Sequence, residues 1–234
     1  MVNLKNKKHL FFDLDDTLWD FEKNSSLILK EIFVQFELGL KLQTSFINFY
    51  KEYKEINNQL WSKYYKKEID KTYLRNHRFN ETFKRFNYSN YDENLLVTEQ
   101  YLKQSPHGKI LKKDCIETLM YLKQYFQLNI ITNGFKEVQD IKIDSCGLRP
   151  YFSNIIISEE YNLTKPDEQI FRLAESFSKT TKDECIMIGD NLESDINGAL
   201  NAGWEAIYFS DIKPKHFKGN HIKALIEIKA LLSK

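Results

Sequence analysis

Five short apolar runs set the strongest limit on how this chain can fold: residues 10–13, 128–132, 155–158, 185–189 and 206–209. None alternates apolar with polar side chains. A strand with one wet face alternates, whereas a strand apolar at successive positions is covered on both faces, as parallel strands are. Between the runs lie helical patterns at about residues 115–126, 136–146, 167–177 and 192–202, and a closing helix is predicted at 224–232. Strand and helix alternating at this spacing predict βαβ units and an α/β fold with a doubly wound parallel sheet.

Residues 19–104 have another texture. They hold no proline and no strand-like run, and they read as amphipathic helices at about 27–37, 47–65, 71–86 and 93–103, rich in Lys, Glu, Phe and Tyr. Ser105-Pro106-His107-Gly108 punctuates their end. The expectation is a helical domain, 19–106, inserted after the first strand of a core domain made of 1–18 and 107–234. Trp19–Phe21 and Ser105–Gly108 are the candidate hinges. The insert's aromatics, among them Phe46, Phe49, Tyr50, Tyr53, Trp61, Tyr64 and Tyr65, are helically spaced and expected chiefly in its core.

Composition narrows the classes of function. The formal net charge over 234 residues is +1, so the basic field that drives binding to nucleic-acid polymers is missing. No apolar run approaches the roughly 20 residues that span a bilayer. Met1–Leu10 is basic, but Asp13 interrupts the short apolar run that follows, so a secretory leader is not expected. Cys115, Cys146 and Cys185 are odd in number and widely spaced, which suits reduced thiols in a cytoplasmic protein and small core hydrophobes.

The first run ends in acids: Leu10-Phe11-Phe12-Asp13-Leu14-Asp15-Asp16-Thr17-Leu18. Ligands of open α/β sheets bind beyond the carboxyl ends of the strands. Asp13 and Asp15, two residues apart, would face that crevice if the chain stays extended. Carboxylates gathered there repel unless a cation holds them or one is protonated, and a hard cation such as Mg²⁺ suits oxygen ligands. The plain alternative is an acidic loop capping a helix, which leaves the preceding buried strand unexplained.

These residues resemble the DxDxT signature of haloacid dehalogenase-like (HAD) hydrolases. Three further segments resemble the family's other motifs in order: Ile130-Ile131-Thr132-Asn133-Gly134, Lys165-Pro166-Asp167, and Ile186-Met187-Ile188-Gly189-Asp190 with Asp195. The resemblance implies a Rossmann-like core with a type 1 helical cap, and Mg²⁺ as cofactor. It implies Asp13 as nucleophile forming an aspartyl-phosphate, and Asp15 as the acid that protonates the leaving group and then the base that activates water. Lys165 would balance charge, and Thr132 and Asn133 would bind phosphoryl oxygens with it. Metal ligands would be Asp13, Asp190 and the Asp15 backbone carbonyl, with Asp195 and Asn191 in support.

Plainer readings stand beside these roles. Thr132 is also an ordinary strand residue, Asn133-Gly134 a turn pair, Lys165 a solvated lysine, and Asp190-Asn191 a helix N-cap. The family's dehalogenases lack the second acid, so Asp15 points to phosphoryl chemistry.

Closer similarity reaches the bacterial pyrimidine 5'-nucleotidase subgroup, through Asp13–Phe21, Thr132–Gln139, Ile157–Glu160, Gly189–Ile196 and Asn201–Gly203. It implies a nucleoside 5'-monophosphate or similar small phosphate ester as substrate, for a monomer or homodimer. Trp19, Phe21 and Phe135 could stack on a base or simply pack; Asn24 and Lys136 could meet polar groups of the substrate. Other readings are a phosphatase of small sugar phosphates or phosphoglycolate, a phosphosugar mutase, and a non-catalytic binding scaffold. The scaffold would be expected to have lost a motif acid.

Overall fold

The computed structural model describes residues 6–232. Its contacts separate the chain into two compact units, one running to Phe21 and resuming at Lys109, the other spanning Glu22–Gly108. The first crossing thus falls after Phe21, not Leu18, because Trp19 is buried in the core of the first unit with Phe21 packed beside it.

The helical unit contains α1 (Phe21–Gln35, whose first residue belongs to the other unit), α2 (Leu38–Lys41), α3 (Phe46–Tyr65), α4 (Lys71–Lys84) and α5 (Tyr91–Gln104). Ser45, Asp70 and Asn90 cap the last three, each accepting a backbone N–H three residues on. The apolar stripes meet in one cluster that includes Leu29, Phe33, Phe49, Tyr53, Phe79, Phe83, Val97 and Tyr101. Of the expected aromatics, Phe49 and Tyr53 lie inside it, and Phe46 and Tyr50 pack against it.

The other unit is built on six parallel strands: β1 (His9–Phe12), β2 (Gln127–Thr132), β3 (Asn154–Ile157), β4 (Cys185–Gly189), β5 (Glu205–Phe209) and β6 (Asn220–Ile222). Their order is β3-β2-β1-β4-β5-β6. The sixth strand was not expected; it is three residues long and largely polar, at the sheet edge.

Successive side chains point to opposite faces, so the unalternating runs feed two cores. Leu10, Phe12, Ile130, Ile186 and Ile188 join one cluster; Phe11, Ile131, Cys185 and Met187 join the other. The first is covered by α6 (Cys115–Leu122), α7 (Lys136–Ser145) and α10 (Glu227–Leu232). The second is covered by α8 (Glu168–Ser178) and α9 (Gly198–Asn201). All three cysteines are free, and burial pushes the thiols of Cys115 and Cys185 up to about 12, as for core hydrophobes.

One expected helix is divided. Residues 192–202 begin as a π-helical turn, Leu192–Asn197, before α9. Ile196 N–H reaches back five residues to the Asn191 carbonyl, and Asn191 caps the N–H groups of Glu193 and Ser194. Such wide turns cluster at functional sites, and this one carries Asp195.

Phe171 fixes the second core by packing edge-on to Trp204, whose ring also lies 4.6 Å from Phe11. Phe171→Ala should cost about 3–5 kcal/mol in denaturant unfolding. Ile212→Ala, at a 79 % exposed position, should stay within about 0.5 kcal/mol of wild type.

Candidate active site

β1 sits between β2 and β4, where strand order reverses direction across the sheet, which is the place an open α/β sheet opens its crevice. Asp13 is the first residue beyond β1, tied by its N–H to the Ile188 carbonyl. The chain then turns tightly. Leu18 and Trp19 donate N–H groups to the Leu14 carbonyl, and Asp16 N–H bonds the Trp19 carbonyl. Asp16 takes a left-handed conformation, φ 58°, and its carboxylate pairs with Lys112 at 2.8 Å. Lys112 N–H bonds the Leu18 carbonyl and Asp20 N–H the Ile110 carbonyl, so the chain's return is stitched to its departure.

Lys165 is 1 % exposed. Its ammonium donates to Asp13 Oδ1 at 2.7 Å, Asp195 Oδ1 at 2.6 Å and the Ile131 carbonyl at 2.8 Å. Burial alone would pull its pKa down, but the charges of Asp13 and Asp195 hold it above the ordinary lysine range. Asn133 secures the backbone behind it: its Nδ2 donates to the Lys165 carbonyl and its Oδ1 accepts the Lys165 N–H, both at 2.9 Å. Lys165 is thus no solvated lysine, and Asn133 positions it.

Asp190 follows β4 on the other side of the switch point. Thr17 accepts the Asp190 N–H at 3.1 Å and donates its hydroxyl to Asp190 Oδ1 at 3.2 Å. Asp195 reaches inward from the π turn because Gly189 leaves space: a Cβ there would stand 2.2 Å from Asp195 Oδ2. Asp195 Oδ2 also accepts the Asn191 N–H. The cap at this turn is therefore Asn191, which leaves the Asp190 carboxylate to the site.

Asp13, Asp190 and Asp195 each bring a carboxylate oxygen within 4.8 Å of the others. Burial first, and then mutual repulsion, push Asp13 up to about 7 and Asp190 up to about 8, with Lys165 partly offsetting both. Buried, all-oxygen and short of positive charge, this donor set fits a hard divalent cation such as Mg²⁺.

Asp15 stands outside that group. Its Oδ1 accepts from Lys142 Nζ at 2.5 Å and its Oδ2 from Gln139 Nε2 at 2.8 Å. Gln139 Nε2 also donates to Thr132 Oγ1 at 2.7 Å. Neither Gln139 nor Lys142 was assigned a role from sequence, although both lie on the inward face of the predicted helix; Thr17 was likewise read only as a motif residue.

The other candidates are dispersed. Trp19 is buried, with the Lys142 ammonium 4.3 Å from its ring centroid and 5.8 Å from that of Phe21. Phe135 is buried at the opening of α7, its carbonyl accepting from Val138 and Gln139. Asn24 is buried in the helical unit against Gly108, where an added Cβ would stand 2.5 Å from its Oδ1. Lys136 is exposed and pairs with Glu160, while its N–H bonds Glu159.

Known proteins share this arrangement of chain. A family model described as haloacid dehalogenase-like hydrolase matches residues 7–203. The pyrimidine 5'-nucleotidase PynA of Streptococcus pneumoniae is 31 % identical over 221 residues, covering 93 % of this chain and 88 % of its own. The pyrimidine 5'-nucleotidase YjjG of Escherichia coli is 29 % identical over 195 residues, covering 83 % and 82 %. The crystal structure of the HAD-hydrolase YfnB of Bacillus subtilis, bound to magnesium, superposes with a TM-score of 0.86 at 27 % identity, covering 98 % of this chain and all of that one. With a matching family model over most of its length and the fold to go with it, the chain belongs to the haloacid dehalogenase-like hydrolases.

Proposed function

We propose that this enzyme hydrolyses phosphate monoesters through an aspartyl-phosphate on Asp13, with nucleoside 5'-monophosphates of the pyrimidine type as its substrates. The observation that carries the reading is the separation of two acids on one strand end. Asp13 pairs with Lys165 beside Asp190 and Asp195, whereas Asp15 is held apart by Lys142 and Gln139.

In this reading an Asp13 oxygen attacks phosphorus, and the ester P–O bond breaks with its electron pair going to the leaving oxygen. Asp15 gives that oxygen a proton. Water then attacks phosphorus of the aspartyl-phosphate, losing its proton to Asp15, and the Asp13 O–P bond breaks to release inorganic phosphate and the Asp13 carboxylate. Lys165 balances charge near the transferring group, and Thr132 has a hydroxyl proton to give a phosphoryl oxygen. Asp13, Asp190 and the Asp15 backbone carbonyl would hold Mg²⁺, with Asp195 keeping Lys165 in place. When bound, the cation supplies the positive charge that lets an anionic ester approach a carboxylate. The helical unit would act as the cap that selects the leaving group. The nucleotide reading draws its support from the two nucleotidase relatives and from the segments shared with that subgroup.

Asp13→Asn should lower phosphate release by on the order of 10⁵-fold, and wild-type-like turnover would overturn the nucleophile assignment. Release by the wild type should need Mg²⁺ and stop with EDTA. Among UMP, dUMP, TMP, sugar phosphates and phosphoglycolate, the pyrimidine nucleotides should show the highest kcat/KM; parity with sugar phosphates would overturn the nucleotide reading.

Cation binding should also appear without turnover. A hundredfold excess of Mg²⁺ over its Kd should stabilise the fold by about 2.7 kcal/mol in thermal unfolding. Asp190→Asn should abolish most of that gain, and an unchanged gain would remove Asp190 from the ligand set.

A further inference from the structure

The Asp15 carboxyl is gripped from one side by α7. Lys142 takes Oδ1 at 2.5 Å and Gln139 takes Oδ2 at 2.8 Å, from positions three residues apart and so on one helical face. Both side chains are buried, Gln139 at 0 % and Lys142 at 4 % exposure. A lysine this buried on the inward face of a helix needs a reason, since its ammonium is among the costliest groups to take from water. The carboxylate is one partner, and the Trp19 ring 4.3 Å away is another.

Gln139 does more than hold Asp15. A primary amide has two N–H donors, and Nε2 spends one on Asp15 Oδ2 and the other on Thr132 Oγ1 at 2.7 Å. A hydroxyl that accepts from Gln139 keeps its own proton for donation elsewhere. One amide thereby sets the rotation of the Asp15 carboxyl and the donor direction of Thr132. The amide fits because residue 134 is glycine, where a Cβ would lie 2.2 Å from Nε2.

We propose that Lys142 and Gln139 are positioning residues for the reaction, fixing the Asp15 carboxyl where it meets the leaving oxygen. The inference rests on the phosphoryl-transfer reading above and adds to it a helix-borne clamp on the acid. It concerns the first half-reaction: Asp13 Oδ bonds to phosphorus, the ester P–O bond breaks, and the leaving oxygen takes its electron pair and the proton from Asp15. Leaving groups of high pKa need that proton, whereas dinitrophenolate departs without it.

The test compares kcat/KM, which reports steps up to departure of the leaving group, on an alkyl monoester (UMP) and on 2,4-dinitrophenyl phosphate. Lys142→Met keeps an unbranched chain against Trp19 and removes the charge. It should lower kcat/KM on the alkyl ester by about 10²-fold, the cost of misplacing a reacting group by about 1 Å, and leave the dinitrophenyl ester near wild type. Gln139→Leu also releases Thr132, so it should lower both esters, the alkyl ester by clearly the larger factor, and Lys142→Arg should recover most of the alkyl-ester activity. Thermal unfolding of each variant registers any structural damage, which lowers both esters together. Equal losses on both esters, no loss on the alkyl ester, a gain in activity, or failure of Lys142→Arg to recover it would each overturn the inference while wild-type turnover keeps the reading intact. If the wild type cleaves neither ester, the reading falls and the inference with it.

Discussion

The Lys165 ammonium touches Asp13, Asp195 and the Ile131 carbonyl while almost wholly removed from water, and the arrangement of the carboxyl end of the sheet is built around it. A buried charge is tolerable only when its partners are in place. Each partner here comes from a different stretch: the end of β1, the last residues of β2, and the π turn after β4. The lysine thus ties three separate segments to one point. Removing any one carboxylate would alter the balance at all of them. Asn133 anchors the lysine's backbone through two hydrogen bonds, so the cation's position is set by the main chain and not by a long flexible side chain alone.

The same balance explains the excess of acid. Asp13 and Asp195 share the Lys165 ammonium beside Asp190, and burial first, with repulsion among the carboxylates after it, raises the pKa values of Asp13 and Asp190. The fold keeps these groups close at a cost, with Thr17 bonding both the backbone and the carboxylate of Asp190 and Gly189 making room for Asp195. Such repulsion between buried carboxylates is what the proposed divalent cation would relieve.

Much of this was legible in the sequence, and the rest was hidden for physical reasons. Parallel strands buried on both faces must be apolar throughout, so five of the six strands stood out as runs, and the acids marked the strand ends. Among the described residues β6 pairs only with β5, and its short, largely polar run leaves Asn220-His221-Ile222 unreadable as a strand. The π turn arises where Asn191 caps successive N–H groups and Gly198 approaches Pro166 so closely that a Cβ would stand 2.9 Å away, a tertiary contact without local signature. Lys142 lies 127 residues from Asp15 in sequence. A lysine on the apolar face of a predicted helix was the available sign of it, but no local pattern could name its partner.

Asp13 and Asp15 sit two residues apart and yet have separate lysines, and the left-handed turn at Asp16 follows directly upon them. A carboxylate that ligates a hard cation is held ionised, since protonation competes with the metal for the same lone pairs. A carboxyl that gives and then recovers a proton needs its lone pairs free of the metal. The two tasks are incompatible within one cluster, and placing them at neighbouring positions of one strand end invites their merging. α7 prevents it: Lys142 and Gln139 occupy one oxygen each of Asp15 and keep its carboxyl outside the acidic group. In the proposed mechanism the helix that follows the second strand would thus contribute to the chemistry, by keeping apart two carboxyls that the first strand's sequence alone leaves side by side.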